Sequence, residues 1–242
     1  MIFNLFKSKP SLKELIPKGF TDIHSHILPG IDDGAKNISE SLTIIRELKK
    51  IGFEKIYCTP HTYPGLYDNT SQNIKSSFEI LNENLNFKIE IEYASEYFTD
   101  YSLLEKIKQN SLLTIKKNYI LIETGFTEIP FNFFEIIFRL QTNGYNLILA
   151  HPERYNFLQG NIKLCEKLKT LGVYFQLNLF STTGFYGKEI AKFGNFLLRE
   201  NFIDFVGSDI HNMKQLKIFE NKITINESDK LQQALANNNK FY

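Results

Sequence analysis

The side chains best suited to chemistry in this chain are its histidines. Thr21-Asp22-Ile23-His24-Ser25-His26 runs from an apolar segment into two imidazoles, and Pro29-Gly30 then breaks the chain ahead of Asp32-Asp33-Gly34. On an extended strand alternate side chains share a face, so His24 and His26 point one way and Ser25 the other. Two imidazoles on one face, with carboxylates a few residues on, suit a divalent metal ion. A His-x-His pair alone is weak evidence, since structural histidines are common. What accompanies it decides the matter.

Seven segments read as strands: 20–23, 55–59, 89–98, 119–125, 146–150, 173–179 and 202–206. Helical patterns lie between them. One runs from a cap at Asn37 or Ser39 to residue 51, with Leu42, Ile45, Leu48 and Ile51 on one face and Gly52 as its stop. Others fall at 71–85, 101–109, 131–142, 162–170, 187–200 and 227–236, the last capped by Asn226 or Ser228. Residues 1–19 read as an N-terminal extension that packs on the barrel or mediates self-association, ahead of a single domain over 20–242. Within it Ser11-Leu-Lys-Glu14 fits a capping box for a short turn ended by Pro17.

Strand-then-helix repetition predicts a parallel α/β architecture. His24, His26, His61, Glu96, Glu123, His151, Asp209 and His211 all fall at or just past the C-terminal end of a strand. In a β/α barrel those ends converge on one face, whereas an open doubly wound sheet spreads them along an edge. A seven-stranded, imperfectly closed barrel is therefore expected. The chain has five histidines, and all five sit at such ends. Structural histidines could sit anywhere, so the metal reading prevails.

Composition narrows the field. Lys+Arg at 28 against Asp+Glu at 27 gives a formal charge of +1, which provides no global field for nucleic acid or anionic membrane. No apolar run reaches the roughly 18 residues of a membrane span, and the start is too short for a signal peptide. Two cysteines are too few for a disulfide framework, so a cytoplasmic protein is expected. The 22 Phe and 12 Tyr are spread through the elements, as core packing requires. A cysteine phosphatase needs an arginine six residues after its nucleophile; Cys58 has Pro64 there and Cys165 has Leu171. No Gly-x-x-x-x-Gly-Lys loop is present for nucleotide hydrolysis.

His24-Ser-His-Ile-Leu-Pro-Gly-Ile-Asp-Asp-Gly34, Cys58-Thr-Pro-His61, His151-Pro-Glu-Arg-Tyr155 and Gly207-Ser-Asp-Ile-His-Asn212 occur in an order that resembles the polymerase-and-histidinol-phosphatase (PHP) superfamily. Within it the chain is similar to the metal-dependent bacterial protein-tyrosine phosphatases of capsule and exopolysaccharide clusters, over roughly residues 20–215. His-Pro-Glu-Arg-Tyr with the Asp-Asp-Gly loop is specific to this branch; His-x-His is not. The resemblance implies a distorted (β/α)7 barrel of PHP type with three divalent ions. His24, His26, Glu96 and Asp209 would hold the first, Glu96, Glu123 and His151 the second, and Asp33, His61 and His211 the third. Arg154, Asp209 and His211 would carry catalysis. An autophosphorylating tyrosine kinase is the implied partner.

Glu90 and Glu92 share strand 89–98 with Glu96 at even spacing, and Asp32 could stand in for Asp33. A His/carboxylate set without thiolate favours manganese, iron, zinc or magnesium, with manganese as the choice. Clustered divalent ions activate water and neutralise phosphoryl oxygens, and Arg154 adds a bidentate phosphate donor. Some relatives carry a further arginine after Ser-Asp-x-His; here only Lys214 and Lys217 follow. Residues 178–187 form a Gly/aromatic loop that either lines the entrance or simply connects elements. A small-molecule phosphoesterase such as a histidinol phosphatase, and a non-catalytic metal-binding regulatory domain, are the competing readings.

Overall fold

The computed structural model describes residues 8–242. The first seven residues of the expected extension lie outside them. In chain order the elements are α1 (Leu12–Leu15), β1 (Phe20–Asp22), α2 (Ile38–Ile51), β2 (Phe53–Cys58), β3 (His61–Thr62), α3 (Ser71–Asn84), β4 (Glu90–Tyr93), β5 (Glu96–Phe98) and α4 (Tyr101–Lys108). They continue with β6 (Tyr119–Glu123), α5 (Phe133–Thr142), β7 (Asn146–Ala150), α6 (Ile162–Thr170), β8 (Tyr174–Asn178), α7 (Lys188–Arg199), β9 (Ile203–Gly207) and α8 (Ser228–Asn237). Short 310 turns at Pro152–Arg154, Leu179–Thr183 and Met213–Glu220 follow β7, β8 and β9. Among the described residues no helix is long and apolar enough to cross a membrane.

All named pairings are parallel, in the orders β1-β2-β4 and β3-β5-β6-β7-β8-β9. The two ladders are one surface with an interruption. Pro60 has no N–H to donate, so the second strand splits there into β2 and β3. Bonding nevertheless runs through the break, with Ala94 N donating to Cys58 O (2.8 Å) and Glu96 N to Pro60 O (3.1 Å). The strand expected at 89–98 is correspondingly two, and the change removes Glu90 and Glu92 from consideration: both are exposed, while Glu96 is buried.

β1 and β9 do not ladder with each other. Side chains and loop backbone join them instead. Asn238 donates to Thr21 O and Val206 O (2.9 Å each) and accepts from Val206 N (3.1 Å). Beyond the strands Asp209 N donates to His24 O (2.8 Å) and His26 N to Ile210 O (2.9 Å). This seam completes the seven-position barrel and carries ligand candidates on both sides.

Apart from β4, whose Glu90 and Glu92 are exposed, the strands are largely buried on both faces, as a barrel demands. On β6 and β7, Ile120, Ile122, Leu147 and Leu149 pack outward with the helices, while Leu121, Ile148 and Ala150 join Ile23, Tyr57, Phe205 and Phe241 in an inner cluster. Residues 10–16 share the core: Leu12 is fully buried, its N–H donates to Asn221 O (2.9 Å), and Ile223 N donates to Pro10 O (3.0 Å). Asn37, not Ser39, caps α2, accepting from Glu40 N (3.0 Å). Neither Asn226 nor Ser228 caps α8: the cap position is Glu227, which makes no side-chain cap bond, and Asn226 Oδ1 accepts instead from Lys9 Nζ (2.7 Å). Both cysteines are fully buried.

Candidate metal centre

Every residue expected at the site reaches one region above the strand ends, and three groups of donor atoms form there. His24, His26 and Asp209 are one; His61, Glu96 and Glu123 the second; His26, Asp33, His61 and His211 the third, with the donors of each lying within 4.8 Å of one another. Donors about 2.1 Å from a common ion stand about 3.0–3.4 Å apart. His24 Nε2 is 3.2 Å from His26 Nε2, 3.2 Å from Asp209 Oδ1 and 3.3 Å from Glu96 Oε2. His26 Nε2 is 3.3 Å from Asp209 Oδ1 and 3.4 Å from Glu96 Oε2. That is the spacing of four atoms around one cation.

Glu96 is fully buried at the middle of the set. Its Oε1 lies 3.1 Å from His151 Nε2, and its Oε2 lies 3.1 Å from His61 Nδ1, which is also 2.8 Å from Glu123 Oε1. Yet Glu96 Oε2, Glu123 Oε1 and His61 Nδ1 are buried without an aligned hydrogen-bond partner. Buried acceptors left in this way are costly, and a cation between them removes the cost. The donors present therefore fit divalent ions. Asp33 is half-exposed and stands 3.5 Å from His61 Nε2 and 3.6 Å from His211 Nε2. The division differs from the implied one in two respects: His61 faces both Glu123 and Asp33 while His151 approaches Glu96 alone, and His26 also falls in the group with Asp33, His61 and His211.

Electrostatics agree with cation binding. Burial disfavours a proton on His24, but Glu96 and Asp209 outweigh it and raise the imidazole to about 10. Burial likewise opposes charge on Glu96 and Asp209, yet His24, with His61 and His211 respectively, holds both well below the carboxylate range. Burial and the Arg154 guanidinium push His151 down to about 4, so it stays neutral with a lone pair to give.

The backbone around the candidate ligands is constrained. His151 and Asp209 both adopt left-handed conformations, at φ 37° and 52°, costing about 1–3 kcal/mol each for residues with a side chain. Gly34 must lack a side chain, because a Cβ there would sit 1.9 Å from His26 O. Gly207 leaves room where a Cβ would fall 2.6 Å from His24 Cβ and 2.7 Å from Gln176 Oε1.

Four contributors were not assigned from the sequence. Asp32, buried unlike Asp33, accepts from His61 N (3.2 Å) and Gly34 N (2.9 Å) and pairs with His26 Nδ1 (2.8 Å). Gln176 Oε1 is 2.7 Å from His24 Nδ1. Asn178 donates to Asp209 Oδ2 (2.7 Å), and Tyr186 comes from the 178–187 loop to line the entrance. A signal existed for two of them: Gln176 and Asn178 are polar residues two apart at the end of an apolar strand, hence on one face.

Arg154 Nη1 donates to Asp209 Oδ2 (3.1 Å), not to Glu153, and its guanidinium lies between the rings of Phe126 (4.8 Å) and Tyr186 (4.5 Å). It forms a wall of an open cleft of about 420 Å³ together with Asp33, His61, Tyr63, Tyr67, Glu123, His151, Asp209 and His211. From the segment after His211 the lining residues are Asn212 and Gln215; Lys214 and Lys217 point elsewhere and are exposed. A larger depression of about 570 Å³ between α4 and α5 contains none of these groups.

The chain and its fold have counterparts among known proteins. Tyrosine-protein phosphatase YwqE of Bacillus subtilis is 32% identical over 197 residues, covering 80% of this chain and 78% of its own. Tyrosine-protein phosphatase CpsB of Streptococcus pneumoniae is 30% identical over 206 residues, covering 79% and 83%. A crystal structure from the description of YwqE and CpsB as metal-dependent tyrosine phosphatases superposes with a TM-score of 0.76 at 30% identity, over 87% of this chain and 83% of the other. The family model for capsular polysaccharide synthesis, CpsB/CapC, matches residues 20–226, and this chain belongs to that family.

Proposed function

We propose that this chain is a metal-dependent phosphatase that hydrolyses phosphotyrosine on protein, with residues 20–242 as its catalytic domain. The observation that carries the reading is the convergence of nine His, Asp and Glu side chains, from separate strand ends, on a cleft walled by one buried-stemmed arginine. The tyrosine-phosphatase names and metal dependence of its relatives support it. His24, His26, Glu96 and Asp209 would hold one ion, Glu96, Glu123 and His151 a second, and Asp33, His61 and His211 a third. Manganese is our choice among ions that accept imidazole and carboxylate.

Such ions supply a water acidified for attack and charge to neutralise the phosphoryl oxygens. The chain's own residues do the rest. Arg154 presents a planar fork to the phosphate, held flat between Phe126 and Tyr186. Asp209 aims Oδ1 at the two buried imidazoles while Asn178 and Arg154 hold Oδ2, and His211 is oriented by its Nδ1 bond to Asp209 O (2.8 Å). Tyr63, Tyr67, Phe126 and Tyr186 give the cleft aromatic walls that suit an aryl ester. A phenol, with a pKa of about 10, departs with little protonation, and no proton donor is required of the protein.

The proposed partner is an autophosphorylating bacterial tyrosine kinase that governs polysaccharide export, met in the cytoplasm. Purified protein supplied with manganese is assayed on phosphotyrosine peptides, phosphoserine peptides and histidinol phosphate. The phosphotyrosine peptides should be turned over fastest. Preference for histidinol phosphate, or no turnover with ions bound, would overturn the reading.

A further inference from the structure

His24 and His26 face each other through Nε2 at 3.2 Å, and neither ring is held by its metal-facing nitrogen. Each is held from behind. His24 Nδ1 meets the amide oxygen of Gln176 at 2.7 Å on β8, and His26 Nδ1 meets Asp32 Oδ2 at 2.8 Å in the Pro-Gly loop. All four side chains are buried. An amide oxygen and a carboxylate can only accept, so each Nδ1 must carry the proton and each Nε2 is left to present its lone pair. Gly207 on β9 is the third part of the device, because any side chain there would occupy the space in which Gln176 meets His24.

Asp32 is braced by Gly34 N and His61 N, so its bond orients the ring and supplies negative charge. Gln176 supplies orientation without charge, and its Nε2 is buried with no partner. A residue kept for ordinary packing would not leave an amide nitrogen buried and unsatisfied at a cost of about 1–3 kcal/mol.

We propose that Gln176 and Asp32 are the positioning residues of the His24–His26 pair, fixing both imidazoles as Nε2 ligands and making one a neutral and the other a charge-assisted donor. This rests on the metal reading above, and the test separates the two.

Manganese affinity of the full-length protein is measured by spin-resonance titration for the wild type, Gln176→Met and Gln176→Glu, with thermal unfolding as the check on folding. Gln176→Met keeps the volume but removes the acceptor and should weaken the tightest ion about 10- to 100-fold. Gln176→Glu restores an acceptor and should bind within a few-fold of wild type or more tightly. Wild-type affinity in Gln176→Met would overturn the assignment, as would equal losses in both variants, which would make shape rather than acceptance the requirement. Nitrogen-15 spectra of the zinc-loaded wild type need no variant: His24 and His26 should both carry hydrogen on Nδ1, and hydrogen on Nε2 of either would refute the proposal. A wild type that takes up no divalent ion removes the metal reading itself, and this inference with it.

Discussion

Glu123 and His151 apart, the donor set has two halves of different character. The inner half, His24, His26, Glu96 and Asp209, is almost wholly buried, and each imidazole there is gripped from behind. The outer half, Asp33, His61 and His211, borders the cleft; Asp33 is 51% exposed, and only His211 has its second nitrogen bonded, to a backbone carbonyl. Three of the four inner donors, His24, His26 and Asp209, lie across the β1–β9 seam and Glu96 reaches them from β5, so folding itself sets the geometry. In the outer half Asp33 and His211 hang on loops, and His61 opens the two-residue strand β3. An ion held by the first should be slow to exchange and one held by the second quick, since burial and locked rotamers oppose release.

The largest break in this contrast should come at Glu96, which faces both halves. Glu96→Gln should reduce phosphatase activity to background and empty more than one ion position, measured by elemental analysis after dialysis. Retention of full metal content would show that Glu96 does not join the halves. Next in size is Arg154→Ala, which should leave the metal content intact and lower turnover by about 10²–10³-fold, as loss of one charged donor to a transition state does. Arg154→Lys should recover little of this, because an ammonium lacks the fork.

Asp33→Ala sharpens the comparison from the outer side. It should release one ion per chain while the buried pair keeps its own, so that residual metal resists a mild chelator; simultaneous loss of all metal would join the halves into one cooperative site. The smallest effect is in pH. His24 and His61 are each raised to about 10, so both are protonated at pH 7 in ion-free protein, and an entering cation must expel those protons. Affinity should therefore rise with pH between 6 and 9, by up to about tenfold per unit for each proton displaced. Calorimetry in buffers of different ionisation enthalpy reads that number, and a flat profile would contradict it.

Much of the site was readable because chemistry in a β/α barrel collects at strand ends, so that His61, Glu123 and His151 could be placed from the strand pattern alone. The choice among Glu90, Glu92 and Glu96 could not be made by alternation, because Pro60 interrupts the neighbouring strand and the third strand breaks with it. Asp32 and Asp33 are adjacent and chemically identical; only the turn closed at Gly34 turns one inward to His26 and the other out to the cleft.

By itself the sequence determined the parallel α/β order, the barrel and the identity of the candidate donors, since periodicity, turn residues and the position of each histidine are local properties of the chain. Tertiary structure alone decided which donors meet, that Gln176 and Asp32 stand behind His24 and His26, and that β1 and β9 are joined by Asn238 and loop backbone. Those contacts link residues up to 217 positions apart, and local spacing carries no information about partners brought together only when the barrel closes.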